Sequence, residues 1–231
     1  QQSQNGRRIS SRRARERIRI HQINVFCGST SRDLTMSTAF VLGNGTSRQG
    51  IALESLRDYG KIYACNAVFR DFDPDYLVAV DAKMIFEICG ANYQYKRPVW
   101  TNENRAFKKF KKLNYFSPPL GWSSGPTALH LATKHAHTKL YLLGWDFVGT
   151  REGKLNNLYA NTQNYKKSTD VATYHGNWMR QTCILLQKNP LKRYIRVVRD
   201  GKSTFKAQDL QKYANYSEIT ISEFKNAHNL V

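Results

Sequence analysis

A Rossmann-like α/β fold is predicted, with a mostly parallel sheet and helices on both faces. Three observations carry it. Short apolar runs of strand length recur between turns and helix-like segments, they are apolar nearly throughout rather than alternating, and the first ends in a glycine turn, "STAFVLGNG". Continuous apolar strands are those of parallel sheets covered on both faces. A strand running into glycines is the opening of a nucleotide-binding unit. The chain has 231 residues, enough for one core.

The elements follow in order from Met36. "STAFVL" is the first strand. "RQGIALESL" sets Ile51, Leu53 and Leu56 at helical or turn-like spacing before Gly60. "KIYACNAVF" and "DYLVAVD" are the next strands, and "AKMIFEICG" is a helix stopped at Gly90. "YKRPVW" reads as an edge strand and "ENRAFKKFKKL" as a basic connection. "SSGPTALHLATKHAH" opens with serine caps and a proline in the first turn, and runs as a helix. His130, His135 and His137 are assigned to it as ordinary helix residues, the last two facing different directions. "KLYLLG" is a strand, and "STDVATYHGNWMRQTCILLQK" carries a helix after a long Asn- and Tyr-rich loop. "RYIRVVRDGKSTFKA" reads as a hairpin turning at Asp200-Gly201, and "EITISEFKNAH" as a last strand and short helix. The organisation is therefore a basic arm over 1–35, a nucleotide-binding domain over 36–190, and a hairpin with a short helix over 191–231 packed on the same domain.

The formal charge is +19, from 36 basic and 17 acidic residues. Such a field attracts nucleic acid, anionic surfaces or phosphorylated substrates. Residues 1–20 hold seven arginines and one glutamate. This segment reads as an arm for nucleic acid or virion components, or as artefactual sequence ahead of Met36. No run of about 18 apolar residues marks a membrane span. Four widely spaced cysteines form no CxxC pair, and reduced thiols in a cytoplasm are the simpler expectation.

"GNGTSR" lacks the spacing of a P-loop and of the complete dinucleotide fingerprint. What it retains is a strand, a tight turn at Gly43 and Gly45, and a following helix whose amides meet an anion. Asn44 is placed to bond a ribose or phosphate, and Ser47 to cap that helix. Asn66 ends the second strand on the side where ligands lie in parallel sheets. Ser124 and Gly125 start a second helix facing the same crevice. Gly144 and Asp146 end the next strand there, with Asp146 a receiver for a ribose hydroxyl or substrate amine. Each of these is also an ordinary turn or cap. Asp71 and Asp73 have a DxD form suited to a divalent cation, but a solvated turn explains them equally, and no metal ligand is assigned. His175 stands in a loop just before a helix, where an imidazole can take a proton near neutral pH.

In order and rough spacing, "LGNGTS", "CNAVF", "SSG", "LLGWDF" and "YHGN" resemble the blocks of bacterial sialyltransferases of glycosyltransferase family 42. The first two blocks also look like those of uncharacterised Rossmann-like proteins of tailed phages. The resemblance spans about residues 38–190. It implies a GT-A-like variant of the fold, a nucleotide-sugar donor (CMP-linked in that family), and no further cofactor. Asn44, Gly45 and Asn66 then hold the nucleotide, Ser124 and Gly144 line the cleft, and His175 is the general base. One of two tyrosines that bond the leaving phosphate falls at Val148, which has no hydroxyl. The other corresponds to Tyr159, and Arg48 or Arg151 is a candidate substitute for the missing donor. The expected function is transfer of a sugar from a nucleotide-activated donor to a hydroxyl. The alternative is a non-catalytic phage structural or nucleic-acid-associated protein, favoured by the arm, by "FKKFKK" and by the arginines near 193–199.

Overall fold

The computed structural model describes residues 37–201 and 205–230, so the expectations for the arm over 1–35 lie outside the described residues. Eight strands form one sheet: β1 (Thr38–Leu42), β2 (Lys61–Cys65), β3 (Tyr76–Val78), β4 (Val99–Asn102), β5 (Leu113–Phe116), β6 (Lys139–Leu143), β7 (Arg193–Val198) and β8 (Tyr216–Thr220). Their order is β5-β4-β3-β2-β1-β6-β7-β8, and every neighbouring pair is parallel. The chain builds outward from β1 in one direction, then returns to place β6 on its other side. Ligands of such sheets lie at this reversal, beyond the carboxyl ends of the strands.

The helices are α1 (Ala82–Gly90), α2 (Ser124–Lys134), α3 (Gly176–Lys188), α4 (Gln208–Gln211) and α5 (Ile221–Ala227). Alternate residues of β1 serve opposite faces. Phe40 and Leu42 pack with Ile85 of α1 and Phe224 of α5, whereas Ala39 and Val41 pack with Leu129 of α2 and Leu186 of α3. Fully burying each such aliphatic side chain contributes about 1.5–3 kcal/mol, so β1 must be apolar on both sides, as its sequence is. Among the described residues no helix is long and apolar enough to cross a membrane.

Four expectations are corrected. The segment after β1 forms no α-helix, only 3-10 turns over Thr46–Arg48 and Glu54–Asp58. "YKRPVW" is not at the edge: β4 lies between β3 and β5, and β5 is the outer strand. The C-terminal hairpin does not form either. β7 and β8 pair in parallel, joined through α4, whose Leu210 is fully buried with Ala207 against the α2–α3 face. An Asp-Gly pair marks a turn, but burial of the segment after it decides which way the next strand runs.

Finally, α2 ends at Lys134, and His135 is already extended. Beyond that point helical spacing no longer sets where side chains point, and the chain turns through His135 and Ala136. His135 Nδ1 and His137 Nε2 accordingly both meet the Tyr63 hydroxyl, the latter at 2.9 Å, and His137 Nδ1 meets Ser37 Oγ at 2.8 Å. The two histidines converge instead of diverging.

Candidate functional site

A cleft of about 270 Å³ opens at the carboxyl ends of β1, β2, β3 and β6, closed laterally by the start of α2 and by Trp178 of α3. Gly43, Asn44, Gly45, Asn66, Ser124, Gly125, Gly144 and Asp146 all line it.

The glycines are needed by the protein itself. Gly43 N donates to Leu143 O at 2.8 Å and Gly45 N to Gly144 O at 2.9 Å, locking the ends of β1 and β6 together. A Cβ on Gly43 would stand 2.5 Å from Gly144 O, and one on Gly45 2.5 Å from Asp146 Oδ2. Arg48 is buried behind this turn, donating from Nε to Gly43 O at 2.7 Å and from Nη2 to the Tyr159 hydroxyl at 3.2 Å.

The amides expected to hold an anion in this turn are already used. Ser47 N donates to Asp146 Oδ2 at 3.0 Å, and Thr46 N donates to Asn156 Oδ1 at 3.1 Å. Asn156 Nδ2 in turn donates to Asp146 Oδ2 at 3.0 Å. Asp146 and Asn156 thus take the place that a phosphate occupies in a glycine-rich cradle. Ser47 does not cap a helix; its Oγ is buried without a partner, off the cleft.

Anion-binding capacity lies instead at α2. Ser123 occupies its N-cap with no side-chain cap bond, and Pro126 removes one donor. Ser124 Oγ is engaged by Val80 N at 3.1 Å, and Ser123 N by Gln181 Oε1 at 3.1 Å. No described residue accepts from the Ser124 or Gly125 amide, and a Cβ on Gly125 would meet nothing within 4 Å. Two amides at the positive end of an eleven-residue helix that borders the cleft therefore have no acceptor among the described residues.

Opposite them stand two asparagines. Asn44 is held by Tyr165 through Nδ2 at 3.0 Å, leaving its Oδ1 buried without a partner. Asn66 Oδ1 is also buried and unpartnered, and its backbone has φ +54°. Phe147, another lining residue, has φ +62°. Positive φ at a bulky residue is strained, and such strain gathers at functional sites. Asp81 caps the start of α1 in position only: its carboxylate makes no cap bond and borders the cleft, exposed. Burial pushes the Cys65 thiol up to about 12, so it stays protonated and is no nucleophile.

Several other candidate residues also fall outside the lining. Tyr159 is buried behind the glycine turn, and desolvation raises its hydroxyl to about 12. It is a support for Arg48 rather than a donor to a leaving group, and Arg48, spent on Gly43 O and Tyr159, does not line the cleft. Arg151 is exposed on a turn away from it. His175 sits at the N-cap of α3, its ring 5.1 Å from that of Phe205, which lies 6.2 Å from Phe147. It stands at the rim, one layer of aromatic rings from the cleft. Asp71 and Asp73 are also elsewhere, with Asp73 ion-paired to Lys96.

Sequence reasoning passed over Asp81, Asn156 and Trp178. Asp81 closely follows β3 at the carboxyl end of the sheet, the same signal that marked Asn66 and Asp146. Asn156 lies in a polar loop whose path no local pattern reveals. Trp178 lies in the first turn of α3, where an aromatic reads as core. Comparison with protein-family models, with curated proteins and with solved structures finds no match for the chain.

Proposed function

We propose that the chain is a nucleotide-dependent transferase that moves a sugar from a nucleotide-activated donor to a hydroxyl acceptor in this cleft. One observation carries the reading: the buried, unpartnered Oδ1 atoms of Asn44 and Asn66 share a cleft with the free amides of Ser124 and Gly125. Unpaired buried acceptors cost about 1–3 kcal/mol each, a cost recovered by a ligand that presents donors. A nucleotide offers both halves of the match, a phosphate for the helix start and ribose hydroxyls or a base amine for the asparagines.

In the transfer, the acceptor oxygen bonds to the anomeric carbon as the bond from that carbon to the phosphate oxygen breaks, and the nucleotide leaves as its phosphate. The acceptor proton passes to a base. The Asp81 carboxylate borders the cleft and makes no cap bond, whereas His175 is not among the lining residues and packs edge to face on Phe205. Asp81 is therefore the base this reading favours.

The test is a thermal-shift and calorimetric series with CMP, UDP, GDP and ADP and their sugar conjugates, with and without Mg²⁺. Saturation to 100 times Kd contributes about 2.7 kcal/mol, or a rise of roughly 5–10 °C. Failure of all four nucleotides to raise Tm overturns the proposal. With a donor in hand, Asp81→Asn is expected to lower kcat at least 100-fold with Kd for the nucleotide nearly unchanged, while His175→Asn has a smaller effect.

A non-catalytic role is the second reading, supported by the crowded basic surface of the β4–β5 connection.

A further inference from the structure

Far along the sheet from β6, the β4–β5 connection carries Arg105, Lys108, Lys109, Lys111 and Lys112 within eight residues and no acidic residue. All five are exposed, and none forms an ion pair with a described residue. A run of lysines alone is commonly a solvated face. Here it is interleaved with rings that fix its shape.

Phe107 is fully buried and anchors the connection, and Phe110 is half-buried. Phe86 of α1 meets both, at 5.9 Å to each centroid, yet remains 39% exposed. Lys109 Nζ hangs over the rings of Phe86 and Phe110, at 5.4 and 5.1 Å. Lys112 is held at φ +65°, a conformation a lysine rarely adopts. On α1, Lys83 stands one turn before Phe86 and is exposed. Glu103 is the acidic residue nearest in sequence, just outside the run, and the neighbouring Glu87 is neutralised by Arg70.

From this arrangement we propose that the β5 edge of the molecule binds single-stranded nucleic acid. The lysines and Arg105 take backbone phosphates, and a base stacks on Phe86 in place of the Lys109 ammonium, which then turns to a phosphate. Charge complementarity selects a polyanion, and aromatic faces interleaved with cations favour unpaired bases over a duplex. An anionic bilayer fits less well, because the rings pack edge to face on one another and offer no projecting apolar wedge to insert. The inference is independent of the ligand of the cleft.

The test measures fluorescence anisotropy of a labelled 20-nucleotide single-stranded DNA, its RNA equivalent and the matching duplex, with the full chain, from 50 to 300 mM salt. Any contribution of the basic N-terminal segment is common to wild type and variants. The triple variant Lys108→Gln, Lys109→Gln, Lys111→Gln is expected to reduce the slope of log K against log salt by about 2, at roughly 0.7 per lost single-strand contact. Phe86→Ala is expected to weaken single-strand binding about tenfold while leaving duplex binding unchanged, and Phe86→Trp to preserve it. An unchanged slope and affinity in the triple variant overturns the proposal. So does equal loss on single strand and duplex in Phe86→Ala, or binding to vesicles containing phosphatidylglycerol with none to oligonucleotides.

Discussion

At the amino end of the sheet the Tyr63 hydroxyl lies between His135 and His137, Ser37 bonds the far nitrogen of His137, and Lys192 Nζ donates to the carbonyls of both histidines at 2.9 and 2.6 Å. At the carboxyl end, Asn44 and Asn66 each bury an oxygen that nothing meets, and two amides of the helix start lining the cleft have no acceptor among the described residues. Both ends hold polar groups out of bulk water. Only the first satisfies them internally, and under the proposed function that difference separates a brace from a binding site. Buried polar groups that pair within the protein stabilise its fold, and on that same proposal the unpaired oxygens of Asn44 and Asn66 are left for a ligand.

If the contrast is right, variants at the two ends sort by what they damage. The largest loss is expected at Gly43, where both concerns meet. A Cβ there collides with a backbone oxygen of the neighbouring strand end, not with a movable side chain. Gly43→Ala is expected to cost about 3 kcal/mol and to lower Tm by roughly 6–12 °C, with nucleotide binding abolished. Thermal unfolding of the purified variant checks this. A fall below 2 °C would mean that the ends of β1 and β6 separate freely, and the cleft would lose its rigid floor.

Next in size comes the amino end. Tyr63→Phe strips His135 and His137 of their common partner, at an expected cost of about 1–3 kcal/mol, with the affinity of the distant cleft unchanged within twofold. The same cluster sets a pH dependence. Burial, then the nearby His135 and Lys192, lowers His137 from 6.5 to about 4. Between these values the unfolded chain binds the proton and the folded chain does not, so stability rises with pH. Its contribution is complete above about pH 6.5 and is lost as pH falls through 4. His130 and His135, lowered mainly by burial, act in the same sense. Tm measured from pH 4 to 7.5 should climb and then flatten, and His137→Gln should shallow the climb. A wild-type Tm that is flat across this range would deny the histidine its buried, neutral role.

The same contrast accounts for what the sequence disclosed. Gly43, Asn44, Gly45, Asn66, Ser124, Gly125, Gly144 and Asp146 were legible because strand ends in a parallel sheet share one side, so residues just past each apolar run must meet. Tyr159 and Ser47 lie off the cleft because a turn has an inside and an outside, and Arg48 and Asp146 decide which atoms face inward. The helix expected after the glycine turn gives way to 3-10 turns, and the first-turn amides meant for an anion are taken by Asp146 and Asn156, about 100 positions later. His135 and His137 were read with helical geometry one residue past the point where the helix stopped. The turn residues are set by contacts distant in sequence, and the two histidines by where the helix ends.

The smallest effect on stability, and the sharpest on function, is expected at Asn66. Its φ of +54° suits glycine better than any branched or bulky residue, and its side-chain oxygen has no partner to lose. Asn66→Gly should therefore leave unfolding free energy within about 0.5 kcal/mol of wild type, the relief of strain offsetting glycine's extra chain entropy. Nucleotide affinity should nevertheless fall at least tenfold, because the carboxamide is the group presented to the ligand. Urea unfolding and calorimetric titration on the same preparation test both halves together. Stability lost with affinity retained would make Asn66 a brace like Tyr63, and would erase the distinction between the two ends of the sheet.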